Sequence, residues 1–149
     1  MDTFFKGLYS GMSGGVIINL WGFLLKDFLH ISTRNYVDWT SVIIYGTLAA
    51  NWYQFLLALF THLLWTGFLG IVFAYLLPKL THRGYRVKGA LYGFILGFFI
   101  YSAAILLRMP FFTQIPLPTA AGNAIGGILW GIITAQILTW LETKFKHTA

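Results

Sequence analysis

One imidazole, His62, stands inside an otherwise uncharged apolar stretch, in the run Phe-Thr-His-Leu-Leu. If that stretch is helical, His62 lies about 22 Å above its Leu77 end at 1.5 Å per residue. The same count puts Asn19 near 18 Å, and Tyr101 and Ser102 near 21–22 Å, in their own apolar stretches. These four polar side chains fall in one layer. An ionisable group at such depth marks, by default, a substrate, proton or cofactor site. The competing role is a neutral histidine hydrogen-bonded to Asn19 or Tyr101, which ties helices together. The sequence leaves both roles open.

Other chemistries find less support. Gly11-Met12-Ser13-Gly14 imitates the Gly-x-Ser-Gly of intramembrane serine proteases. A Ser–His dyad needs hydrogen-bond contact, yet by helical rise Ser13 and His62 miss by roughly 13 Å along the membrane normal. A haem held by two histidines of one chain needs both at similar depth on facing helices. His30, His82 and His147 lie elsewhere, so no cofactor is predicted; a haem is left only the case of two His62 side chains meeting across a dimer axis. With no Cys, thiolate metal sites and iron–sulfur clusters are excluded. No His-Glu-x-x-His, Walker-type loop or paired carboxylate occurs in the apolar stretches, and no metal site is predicted. Arg108 ends the third stretch and suits an anion or a lipid headgroup, or simply snorkels.

The elements that must position these groups follow from composition. Of 149 residues, 58% are hydrophobic and 9% charged, and mean hydropathy is +0.72. A soluble domain carries about 25% charged residues, so composition excludes one and points to an all-α integral membrane protein. About 20 apolar residues cross a bilayer. Four windows qualify, at 7–25, 52–77, 87–107 and 120–141, with Lys88 the one charged residue among them, and together they form one transmembrane domain over 1–149. Lys6, Lys79, Arg83, Arg86, Lys88, Lys144 and Lys146 then share one side, against Lys26, Arg34 and Arg108 on the other. The positive-inside rule puts both termini in the cytoplasm. No basic run is long enough to follow a nucleic-acid backbone. Residues 39–50 form an apolar segment joined to the second span. One helix over 40–77 would be roughly 57 Å long, so a break is expected near Gly46 or Asn51, leaving an outer interfacial or re-entrant helix, with a fifth span as the rival. The 108–119 connection, with three prolines, reads as a stiff extended loop.

Glycine supplies the packing pattern. Gly7, Gly11 and Gly15 follow Lys6 at steps of four, as Gly89, Gly93 and Gly97 follow Lys88; Gly127 and Gly131 mark the last span. Small residues at this spacing let backbones approach closely. The pattern suggests two helical hairpins in parallel repeat, with Trp65 and Trp130 packed on glycine faces, and a chain that self-associates through those faces.

The Gly-rich first span, the 39–51 segment, Thr61-His62, Leu77-Pro78-Lys79, and Gly89-x3-Gly93 with Pro110 resemble small bacterial inner-membrane proteins of the YqhR-like and YagU-like kind. That resemblance implies a four-helix fold in the bacterial cytoplasmic membrane, with no reaction attached. In the YagU-like pattern a second His precedes the Trp of the last span; here Gly127 holds that place. The expected function is a small non-enzymatic multi-pass protein, transporter-like, channel-like or stress-related. The alternatives are an electron carrier that binds haem or quinone through His62, and an accessory subunit of a larger complex.

Overall fold

The computed structural model describes residues 1–80 and 84–145. Arg83, Lys146, His82 and His147, which entered the topology and haem arguments, lie outside the described residues. The described chain is helical, with no strand. Helix α1 (Thr3–Phe23) runs into a π-helical turn at Leu24–Phe28. It is followed by α2 (Tyr36–Tyr45), α3 (Trp52–Leu76) with a 3-10 turn at Leu77–Leu80, α4 (Tyr85–Leu106) and α5 (Leu117–Lys144). Four of these, all but α2, are long and apolar enough to cross a membrane.

The helix ends have local causes. Asp2 caps α1 by accepting from the Phe5 amide at 2.9 Å, and Asn51 caps α3 through the Gln54 amide at 3.0 Å, each relieving an otherwise orphaned donor. Asn35 and Asp38 form a reciprocal capping box that starts α2, and Lys26 holds the same Asp38 carboxylate at 2.6 Å. The expected break between α2 and α3 uses both candidate residues. Gly46 ends α2 in the left-handed region, φ 72°, which favours glycine, and Asn51 starts the next helix.

The long helices form a row in which α3 packs on α1, α1 on α5, and α5 on α4. Glycine dictates each close approach. A Cβ on Gly7 would stand 2.6 Å from the Ile71 Cα, and one on Gly11 would stand 2.8 Å from the Gly70 Cα, so α1 and α3 touch backbone to backbone. Gly15 faces Thr66. On the other side, Gly89 and Gly93 meet Gly131 and Gly127, where a Cβ on Gly127 would lie 2.8 Å from the Gly93 carbonyl oxygen. The ridges expected to join copies of the chain are therefore occupied within it, Gly7, Gly11 and Gly15 by α3, and Gly89 and Gly93 by Gly127 and Gly131. Gly97 departs from its ridge, because nothing lies within 4 Å of its Cβ position. Trp130 follows expectation: it lies against Gly14 and donates its indole N–H to the Gly11 carbonyl at 3.1 Å. Trp65 does not, being half exposed.

Helices α3 and α4, at the two ends of the row, meet near the chain termini. There Phe73, Ala74, Leu77, Ala135 and Leu138 form a buried cluster flanked by Tyr85 and Tyr92. Tyr92 donates to the Leu69 carbonyl at 3.0 Å. At the far end α2 lies between them, with Trp39 stacked on Phe112 at 3.9 Å and against Tyr101 at 4.9 Å. Phe112 is fully buried, so the 108–119 connection folds back as a plug instead of running extended. The turn needs left-handed backbone at Arg108 (φ 48°) and Phe111 (φ 67°).

Candidate functional site

Asn19 and His62, both buried, meet, as their matched heights allow. The Asn19 amide nitrogen lies 3.0 Å from His62 Nδ1 and donates to the Gly15 carbonyl at 2.9 Å. Turning the amide over would set its oxygen against the Gly15 carbonyl oxygen, so the nitrogen belongs between the two acceptors. His62 Nδ1 therefore accepts, and the ring proton sits on Nε2. Asn19 Oδ1 has no partner among the described residues.

Two residues that the depth count passes over complete the layer. Tyr36, the first residue of α2, stacks on His62 with centroids 5.6 Å apart and planes at 16°, and donates to the Asn123 carbonyl at 2.9 Å. Gly22 and Gly126 make room for it, since a Cβ on Gly22 would come within 3.3 Å of the Tyr36 ring and one on Gly126 would collide with its hydroxyl. Burial, with the Tyr101 phenol nearby, holds the Tyr36 hydroxyl protonated well above its ordinary range. Asn123 in turn donates its side-chain amide to the Tyr101 hydroxyl, which reaches the Thr119 carbonyl at 3.4 Å. Tyr101 thus belongs to the layer but serves Asn123 and Trp39, and is not the partner of His62. Ser102, one residue on, is only half-buried and takes no part. Ser13 is exposed on α1, so no Ser–His dyad forms. Arg108 is exposed at the turn after α4.

Below α2 the row of helices leaves a cleft of about 170 Å³. Its walls are α3 (His62, Trp65, Thr66, Leu69) and α4 (Gly93, Leu96, Gly97, Ile100, Tyr101), closed behind by Ile18, Asn123, Gly127 and Trp130, with Tyr36, Trp39, Thr40 and Ile43 of α2 across the top. Its rim residues Trp65, Ile100 and Ile43 are exposed, so the cleft opens sideways between α3 and α4. An empty Gly97 position and a distant α3 together create the space. An apolar cavity of about 150 Å³ accommodates a single benzene ring. This cleft therefore has room for one ring, far short of a tetrapyrrole. Among the described residues no three His, Cys, Asp or Glu side chains gather as a metal set.

No protein-family model, no curated protein and no solved structure matches the chain.

Proposed function

We propose that this small multi-pass membrane protein is a non-enzymatic binding protein that takes up a lipid-phase molecule through the side opening between α3 and α4. The carrying observation is a mostly apolar cleft that is reached from the flank of the bundle and has a single imidazole at its polar end. Ligand sites are concave, mostly apolar and furnished with few polar groups. A flank opening at mid-helix faces acyl chains in a bilayer of about 30 Å. The reading keeps the bacterial cytoplasmic membrane and cytoplasmic termini, supported by the basic residues Lys6, Arg86, Lys88 and Lys144 near the shared end. It also keeps the resemblance to YqhR-like and YagU-like proteins as a proposed kinship. The interior glycine ridges are filled by neighbouring helices of the same chain, so association of copies uses other faces.

Photolabelling tests this. A diazirine-bearing alkyl probe in the bilayer should label Thr66 and Leu69 inside the cleft as well as Phe98 on the exposed face of α4. Gly97→Leu, which fills the space, should remove the first two and leave Phe98 labelled. Equal labelling of Thr66 and Leu69 in both proteins would refute the site.

A further inference from the structure

The donors that line the cleft are unequally committed. Tyr36 gives its hydroxyl proton to the Asn123 carbonyl, Thr40 to the Tyr36 carbonyl at 3.2 Å and Thr66 to the Leu63 carbonyl at 2.9 Å. Tyr101 gives its own to the Thr119 carbonyl, and Trp130 gives its indole N–H to the Gly11 carbonyl. Each of these is bound to backbone and has no second proton to offer, and Asn123 commits its side-chain amide to the Tyr101 hydroxyl while keeping one further N–H. His62 differs. Its Nδ1 receives the Asn19 amide, so its proton is carried on Nε2, and Nε2 makes no hydrogen bond with any described residue. The imidazole lines the cleft, and an N–H that no described residue accepts is left available to an acceptor entering the cleft. Three residues along the same helix, the indole of Trp65 stands at the rim.

The walls also select for shape. The Tyr36–His62 stack, Trp39, Trp65, Tyr101 and Trp130 present flat faces around a space of about 170 Å³, which suits one planar ring better than a flexible chain. From these features we infer, resting on the lipid-phase binding proposed above, the ligand's chemical class. It is a membrane-soluble molecule with a single ring bearing a carbonyl oxygen, as in an alkyl- or prenyl-quinone, the ring between α3 and α4, the carbonyl on His62 Nε2 and the tail leaving past Trp65 and Ile100 into the bilayer.

The test compares 2-decyl-1,4-benzoquinone with decylbenzene, which has the same tail and ring size but no acceptor. Each is added at equal mole fraction to the protein in lipid nanodiscs, and its apparent affinity is read from the shift in thermal midpoint it produces. The quinone should bind roughly 3- to 10-fold more tightly, the value of one added hydrogen bond. His62→Phe keeps a ring on Tyr36 but has no N–H, and should bring the two compounds level. Gly97→Leu should abolish both shifts. Equal shifts by both compounds in the wild-type protein would overturn the carbonyl assignment and leave the cleft as a ring site. A quinone preference that survives His62→Phe, or shifts that survive Gly97→Leu, would overturn it as well. No shift from either compound would remove the lipid-phase reading itself.

Discussion

Gly93 and Gly97 stand one helical turn apart on α4, and replacing each by alanine should leave the Gly93 variant clearly the less stable of the two. At Gly93 the added methyl enters the α4–α5 contact, 2.9 Å from the Gly127 carbonyl carbon and 3.2 Å from the Gly131 amide nitrogen. Ordinary carbon contacts need 3.5–4.0 Å, and the obstructing atoms are backbone, so the helices themselves must separate. Overpacking of this kind costs about 1–3 kcal/mol. Gly89 and Gly131 sit in the same seam and move with it. At Gly97 the methyl meets nothing within 4 Å. What is left is helix propensity, where alanine exceeds glycine by about 0.8–1.0 kcal/mol. The propensity gain is common to both helical positions and cancels, so the two variants should differ by about 1–3 kcal/mol, the overpacking cost alone. Reversible unfolding in mixed micelles with increasing denaturing detergent, followed by far-UV circular dichroism, measures both on one scale. Equal destabilisation, or a loss at Gly97 as large as at Gly93, would refute the argument that glycine holds α4 to α5 at one position and only leaves space at the other.

Asp38→Ala removes the reciprocal cap of α2 and the partner of Lys26. It should cost about 1 kcal/mol and raise hydrogen exchange over 36–45, and unchanged exchange there would refute the cap's role. Trp130→Phe keeps the ring against Gly14 but withdraws the donor from the Gly11 carbonyl, for an expected loss of about 0.5–1.5 kcal/mol by the same unfolding assay. For topology, an impermeant maleimide added to intact cells should label Thr113→Cys and spare Thr143→Cys, both exposed positions; the reverse pattern would invert the orientation.

Much of this architecture is legible in the residues, and the failures have physical reasons. Long spans with almost no charge in them declare themselves by length. Counting residues sets Asn19 and His62 close enough in height to bond, because rise per residue is nearly invariant along a helix. Height says nothing of rotation. Tyr101 and Ser102 share a level, yet about 100° of turn sends one to Asn123 and leaves the other at the edge. The glycine ridges are plain in the sequence, but small residues record that a close partner exists and not which helix supplies it. Tyr36 escapes a reading that begins the extra helix at residue 39. The signal for the earlier start is Asn35 followed three residues later by Asp38, a capping-box spacing. Asn123 escapes because counting back from Leu141 sets it about 27 Å up its span, above the layer of the other polar groups. The cleft itself is a property of packing between α3 and α4, which no local pattern encodes.

The seat of Tyr36 has a consequence for biogenesis. Its hydroxyl rests on the Asn123 carbonyl, 87 residues further along the chain, in a notch lined by Gly126 of α5 and Gly22 of α1. When α2 emerges from the ribosome α5 has not yet been made, so its resting place does not yet exist. In the orientation proposed above, the segment crosses to the outer surface and waits there, capped by Asn35 and Asp38 but undocked, until α5 has been threaded into the bilayer. Closing the cleft's outer end is accordingly a late event of maturation, and a chain truncated before residue 117 should reach the membrane with α2 still open to protease from outside.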